Sequence, residues 1–317
     1  MTQTYGLEIE SFGLTEGELM NAINSVSNVN YAGHHTYGSR SRISDTTDEG
    51  DNQWISENDS SLRGLTGPHG QGHEVISPIL SGVNGMKEAK KIMRALLRAG
   101  ARVNRKCGLH VTMGCQNSRW ARMSSAKKSR VLHKIGEAYN YFLAGFESML
   151  PMSRRDGQNI YTGRPRIGTM TFNNIESNAD YGRLAFGRGH VNIGKFWRAG
   201  IIEFRAHNGT LNGHKIETWA LLHHQLMAWA VNTNHPNYAA DLRNYTPDIQ
   251  GLLECLNVGS DLVTRCMNRA SEVAQNHRMP ESQYWRDYSR HQLMARDEVR
   301  EIEEDNRLEV RSIMAVA

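Results

Sequence analysis

Tyr5-Gly6-Leu7-Glu8-Ile9-Glu10, Cys107-Gly108-Leu109-His110-Val111-Thr112-Met113-Gly114 and Ile201-Ile202-Glu203-Phe204-Arg205-Ala206-His207 each alternate polar or charged residues with apolar ones. Period-two alternation marks a strand with one buried face and one face free for other work. Glu8 and Glu10 then project to one side, Leu7 and Ile9 to the other. Glu203, Arg205 and His207 share a face, with Ile202, Phe204 and Ala206 behind them. His110 and Thr112 oppose Leu109, Val111 and Met113. The apolar faces need a cover. The aligned carboxylates repel one another unless something cationic sits among them.

Working outward, Thr15-Glu16-Gly17-Glu18 opens an amphipathic stretch to about Val26, with Leu19, Ala22 and Ile23 at helical spacing. Asn28 to Gly50 is polar and reads as hairpin or loop, Trp54 to Ser61 as a strand running into a turn, and His73 to Pro78 as a strand ended by its proline. Gly85 to Ala99 carries a helical stripe (Met86, Ala89, Ile92, Met93, Leu96) with Gly100 suited to its C-terminal cap. Ser124 to Leu150 reads as one long helix, residues 151–200 as irregular chain rich in Gly, Arg and Asn, and Lys215 to Val231 as a helix. From about Asn232 the chain reads as helical to its end, which suggests a catalytic domain over 1–231 and a helical extension over 232–317 packed on it.

The 317 residues include 39% hydrophobic ones, enough for a large core. The mean hydropathy of -0.57 and the lack of a long apolar run speak against a membrane span. The opening Met1-Thr2-Gln3-Thr4 has no apolar signal segment, so a cytoplasmic protein is expected. The four cysteines form no CxxC pair and read as reduced, buried thiols. A formal net charge of +4 is too small to argue for nucleic acid. The basic run from Arg119 to Arg130 is more simply a solvated helix entrance.

Glu8, Glu10, Asp59, Glu74 and Glu203 fall on or beside predicted strands, with His110 as the one histidine among them. Hard oxygen donors with at most one imidazole favour Mg²⁺ or Mn²⁺ over zinc. Arg205 is a planar, permanently charged fork suited to a phosphate oxygen. Each carboxylate alone is as readily a solvated surface group; the shared face with His110 and Arg205 weighs against that for the set. Acids, metal and arginine are the parts needed for phosphoryl transfer.

These segments, in order, resemble the amidoligase family of glutamine synthetase/γ-glutamylcysteine ligase-like ATP-dependent carboxylate–amine ligases. GLEIES resembles the family's GxExE strand. Asp59-Ser60 with HEVISPIL resembles its D-x-S and E-(I/V)-x-S-P block, CGLHVTMG its CGLHVH strand, and LPMSRR its S-R-R segment. Val191-Asn192 through IIEFRAHNGTLN resembles its asparagine and EFR-x-H-x-G-T-L strand. Thr112 departs from the pattern where many members place a second histidine. The resemblance spans roughly residues 5 to 230.

It implies an α+β, glutamine synthetase-like fold, with a curved antiparallel sheet whose concave side carries the site and helices on the convex side. It implies Glu8, Asp59 and Glu74 around one metal and Glu10, His110 and Glu203 around another, with Arg205 on the γ-phosphate of ATP and Arg205, Glu203 and Asp59 as the catalytic set. Arg154 and Arg155 would meet phosphate or substrate carboxylate, and Asn192, Lys195 and His207 would belong to the nucleotide site. The partners would be a carboxylate-bearing substrate (amino acid, peptide or protein) and an amine acceptor, with no nucleic acid or membrane. Members of the family often occur in phage and mobile-element settings. Two rival readings are a catalytically inactive binding or structural module of the same fold and a metal-dependent hydrolase using the same acids to activate water.

Other signals are discounted. Gly189 to Phe196 nearly matches a P-loop, but Phe196 stands where Ser or Thr would bind Mg²⁺. Lys195 could still contact nucleotide as a lone cation. His69 and His73, His34-His35, and His223-His224 lack the further ligands a zinc site needs. Cys107 is more simply a packing residue than a nucleophile.

Overall fold

The structure is a computed structural model, and residues 3–27, 31–35, 53–57, 62, 72–116, 118–155, 190–232 and 238–276 are described. The chain begins with β1 (Thr4–Phe12), α1 (Glu16–Asn24), β2 (Tyr31–His35), β3 (Trp54–Glu57), β4 (Gly72–Ile76) and β5 (Leu80–Ser81). Next come α2 (Gly82–Ala99), β6 (Gly108–Gly114), α3 (Ser118–Ala121), α4 (Ser125–Tyr141), α5 (Leu143–Ser148) and a 3-10 turn at Met152–Arg154. The remainder comprises β7 (Val191–Asn192), α6 (Lys195–Ala199), β8 (Ile201–Asn208), α7 (Gly213–Asn232), α8 (Tyr238–Leu242), α9 (Ile249–Cys255) and α10 (Ser260–Asn276).

The strands form one open sheet in the order β2-β3-β4-β1-β6-β8-β7, with β5 also beside β1. All neighbours are antiparallel except β2 and β3, which run parallel. The architecture is therefore a mixed α/β fold built on a largely antiparallel sheet with helices. No described helix is long and apolar enough to cross a membrane.

Local signals explain the helix ends. Thr15 Oγ1 accepts from the Glu18 backbone N–H while a Glu18 carboxylate oxygen accepts from the Thr15 N–H at 2.8 Å, a reciprocal cap on α1. Gly100 closes α2 at φ +113, a left-handed conformation that favours glycine. The predicted single helix from Ser124 to Leu150 is instead two. Phe142 leaves the helical region at φ -93, ψ 22 and is fully buried. The turn brings Gly145 of α5 against the start of α9, where a Cβ would lie 2.7 Å from the Asp248 carbonyl oxygen. A side chain there would push α9 away, so the break and the glycine together admit the C-terminal helices.

The core lies on one side of the sheet. Leu7, Ile9, Leu109, Val111, Ile202 and Phe204 meet Ile92, Leu96, Ile135, Tyr139, Leu222 and Leu226 in one hydrophobic cluster that continues to Leu262 and Cys266 on α10. The residues after 232 are fastened to the preceding helices by polar contacts as well. Tyr141 donates to the Tyr245 carbonyl, Arg269 donates to the Met149 carbonyl, and Arg265 and Lys90 both pair with Glu217. Of the expected helical run to the chain end, α8, α9 and α10 are seen up to Asn276; residues 233–237 and those beyond 276 lie outside the described residues. All four cysteines are free and buried, as expected.

The pairing of β6 with β8 departs from strict alternation. Leu109 lies opposite His207 and Val111 opposite Phe204, so one residue on β6, His110, answers two on β8, Arg205 and Ala206. This bulge reverses the alternation along β8. Glu203 lies opposite Thr112 on the polar face, whereas His207 joins Leu109 on the apolar one. The expectation that His207 shares a face with Glu203 and Arg205 is therefore overturned. Its ring lies against Trp219 of α7, centroids 5.1 Å apart.

Candidate active site

The register of the sheet assembles the polar face. Glu8 of β1 lies across from His110 of β6, and Glu10 of β1 across from Glu74 of β4. Thr112 of β6 pairs with Glu203 of β8, which in turn pairs with Asn192 of β7. The central strand thus supplies two carboxylates, and its neighbours on either side supply the rest.

His110 is the hub. Its Nδ1 lies 2.9 Å from a Glu8 oxygen, 3.7 Å from Glu203 and 3.9 Å from Glu74. Its Nε2 lies 4.0 Å from Glu10. The imidazole therefore divides the face into two halves. On the Nδ1 side, Glu203 is wholly buried and heavily bonded. One of its oxygens meets Arg205 Nη1 at 2.6 Å; the other meets Lys195 Nζ at 2.8 Å and accepts from Asn192 Nδ2 at 3.0 Å. On the Nε2 side, Glu10 accepts the Gly108 backbone N–H at 2.5 Å. Arg154, itself buried, donates to the Cys107 carbonyl beside it. A Cβ on Gly108 would stand 3.3 Å from His110 Nε2 and 3.4 Å from both Arg154 Nη2 and Glu10 Oε2, so glycine leaves these three groups their room.

The electrostatics follow from this packing. Burial alone would raise the pKa of Glu8, yet Lys195, His110 and Arg205 outweigh it and hold the carboxyl below its ordinary range. Glu203 is likewise lowered: burial and the nearby Glu8 oppose ionisation, and Lys195, Arg205 and His110 prevail. Reciprocally, Lys195 and Arg205 are raised despite burial by Glu203 and Glu8. Glu8, Glu203, Lys195 and Arg205 are thus all charged at neutral pH.

A divalent cation fits the donor set. Ligand atoms of Glu8, Glu74 and His110 lie within 4.8 Å of one another. Two carboxylates with one imidazole form a hard, oxygen-rich site suited to Mg²⁺ or Mn²⁺. Glu203 is differently placed, since both its oxygens already face cations or N–H donors.

Of the predicted residues, Glu8, Glu10, Glu74, His110, Glu203, Arg205, Asn192 and Lys195 converge here. Arg154 sits on the Glu10 side. Arg155 points elsewhere: its guanidinium donates to the Leu150 and Ser148 carbonyls at the end of α5. His207 faces the helices, where burial drops its pKa to about 3. Asp59 lies outside the described residues, as do His69 and residues 156–189 of the expected irregular stretch. Gly108 was not singled out from the sequence, although a glycine two residues before the hub histidine on a strand is the signal for a close backbone approach. The short helix α6 does follow the near P-loop, but its first residue, Lys195, is directed at Glu203.

Residues 1–135 match the family model Amidoligase_2, described as "Putative amidoligase enzyme". The match supports the amidoligase family, and it takes in β1, β4 and β6, which carry Glu8, Glu10, Glu74 and His110. Glu203, Arg205 and Lys195 lie beyond the matched residues. A search of curated proteins gave no match.

Proposed function

We propose that the chain is an ATP- and Mg²⁺-dependent (or Mn²⁺-dependent) carboxylate–amine ligase that forms an amide or isopeptide bond through an acyl phosphate. The family match over residues 1–135 supports a ligase-type enzyme. The observation that carries the finer reading is the convergence of Glu8, Glu10, Glu74, Glu203, His110, Arg205 and Lys195 on one face of the sheet. Acids that hold a divalent cation and bases that hold a polyphosphate are both required for this chemistry.

In the reaction, a substrate carboxylate oxygen attacks the γ-phosphorus, and the bond to the β-phosphate bridging oxygen breaks to release ADP. The amine nitrogen then attacks the acyl carbon, the carbon–oxygen bond to phosphate breaks, and the amine loses a proton. Phosphorylation turns a poor acyl donor into a good one. A divalent cation, when bound, would neutralise phosphate oxygens. Glu8, Glu74 and His110 would hold it, and Glu10, fixed by the Gly108 N–H, would complete the acidic wall. Arg205 is held beside the site by Glu203 and carries an Nε that has no hydrogen-bond partner among the described residues. That guanidinium would meet charge developing on the transferred phosphoryl group. Asp59, the third member of the catalytic set expected from the resemblance, lies outside the described residues.

The test is calorimetric titration of a non-hydrolysable ATP analogue, with and without Mg²⁺, into wild type and Glu203→Gln, followed by a substrate screen scored by ADP release. Mg²⁺-dependent binding that the variant loses is the expected result. ADP formation retained in both Glu10→Gln and Glu203→Gln, each still folded, would sink the assignment. A second reading, a binding module without turnover, draws on one observation: Lys195 and Arg205 already balance Glu203, so the fold tolerates its acids unaided. A folded wild type that binds neither nucleotide nor metal would favour that reading.

A further inference from the structure

Glu203 has more cationic company than a metal ligand can use. Its two oxygens meet an ammonium, a guanidinium and an amide N–H at 2.6 to 3.0 Å, and His110 stands 3.7 Å away. The partners differ in kind. Arg205 comes from the same strand, and Asn192 from the strand paired to it, so both are fixed by the ladder. Lys195 comes from the five-residue helix α6, its side chain is 15% exposed, and its charge also acts on Glu8. A lysine ammonium is a point charge on a flexible stem, whereas an arginine fork is planar and keeps its place. Lys195 and Arg205 both reach solvent, at 15% and 18% side-chain exposure, but only Lys195 carries its charge on a short helix outside the strand ladder.

We infer that Lys195 is a built-in counter-ion, which holds Glu203 and Glu8 together in the metal-free protein and withdraws when a divalent cation enters beside Glu8, Glu74 and His110. The ammonium and the cation would both act on Glu8, and two positive charges within a few ångströms in a partly buried site repel strongly. The freed ammonium would then be available to a ligand anion. Arg205 and Asn192 would keep Glu203 in place during the exchange. This makes Lys195 a positioning residue. The inference rests on the divalent site of the proposed ligase but not on turnover.

The experiment is Mn²⁺ titration without nucleotide, followed by calorimetry and by the electron paramagnetic resonance of free Mn²⁺, on wild type, Lys195→Met and Lys195→Arg. Lys195→Met should bind Mn²⁺ about tenfold or more tightly than wild type. Lys195→Arg, which keeps the positive charge, should bind no better than wild type. Equal or weaker binding by Lys195→Met, or no binding by either protein, overturns the inference. A through-space charge effect alone would tighten binding without moving the amine, so labelling decides the point. In wild type, an amine-reactive acetylating reagent read by mass spectrometry should modify Lys195 severalfold faster at saturating Mn²⁺. An unchanged rate overturns the withdrawal, and this measurement needs no variant that folds. Competitive Mn²⁺ binding without ADP formation would keep this inference and lose the ligase. ADP formation with unchanged Lys195 labelling would do the reverse.

Discussion

His110 and His207 sit on adjacent strands and are almost equally buried, at 4% and 2% exposure, yet their surroundings are opposite. His110 is ringed by four carboxylates; His207 lies against an indole with its Nδ1 turned to the Asn208 carbonyl. Nothing in either residue type dictates this. The bulge between them does, by sending one imidazole to the ion-holding face and the other to the helix-packing face. The two faces carry different costs. One must keep charges compensated, and the other must keep polar atoms neutral.

The sharpest way to break that contrast is to remove the anion on which the charged face turns. Glu203→Ala leaves Lys195 and Arg205 without their main partner, and loss of one member of a buried ion pair costs about 3–5 kcal/mol. Urea unfolding should register that loss, together with abolished ADP formation. A stability change near zero would mean that solvent reaches the pair freely.

Acid separates the two faces by pH. His207 and His223 both have folded pKa values of about 3, below the ordinary ~6.5, chiefly because they are buried. The unfolded chain takes up protons at these sites first, so stability is lost as pH falls from about 6.5 toward 3, by about 1.4 kcal/mol per pH unit for each imidazole. The lowered carboxyls of Glu8 and Glu203 stabilise the fold above the unfolded carboxylate pKa, and that contribution is lost only as pH falls through and below about 4.3. Between about pH 6.5 and 5 His207 and His223 contribute to the decline and the carboxyls of Glu8 and Glu203 do not. His223→Phe, at a site packed by Phe146, Phe204 and Trp219, should reduce the slope in urea titrations across that window by about 1.4 kcal/mol per pH unit. An unchanged slope would show that His223 is protonated in the fold.

Gly108→Ala probes the charged face alone. Its Cβ would crowd His110, Glu10 and Arg154 at 3.3–3.4 Å. A misplaced site of this kind can lose up to about 100-fold in turnover, with a far smaller change in melting temperature. Thr15→Ala touches neither face. Loss of the cap on α1 should cost about 1 kcal/mol and leave nucleotide binding unchanged, which makes it the control for stability effects on the site.

Much of the charged face was legible because alternation is local. Glu8 and Glu10 on β1, Glu74 on β4, His110 on β6, and Glu203 and Arg205 on β8 needed only period two and the order of the segments. What escaped depends on pairing. The extra residue on β8 is invisible without β6 beside it, and so His207 was placed on the wrong side. The break at Phe142 reflects the approach of α9 to Gly145, over 100 residues later in sequence. β2 falls in a polar stretch that reads as loop or hairpin, because its strand exists through pairing with β3. Arg155 looked like a twin of Arg154, but one step along a 3-10 turn directs it to the carbonyls of α5 instead.

The order of the strands has a consequence for how the site comes into being. Glu8 and Glu203 belong to one cluster but are separated by nearly the whole length of the sheet-forming chain. At ordinary synthesis rates of about 5–20 residues per second, β8 leaves the ribosome on the order of tens of seconds after β1. Until then Glu8, Glu10, Glu74 and His110 can gather, but Lys195, Arg205 and Glu203 cannot join them. The nascent protein therefore passes through a stage in which Glu8 has its neighbouring acids but neither Lys195 nor Arg205 to balance them.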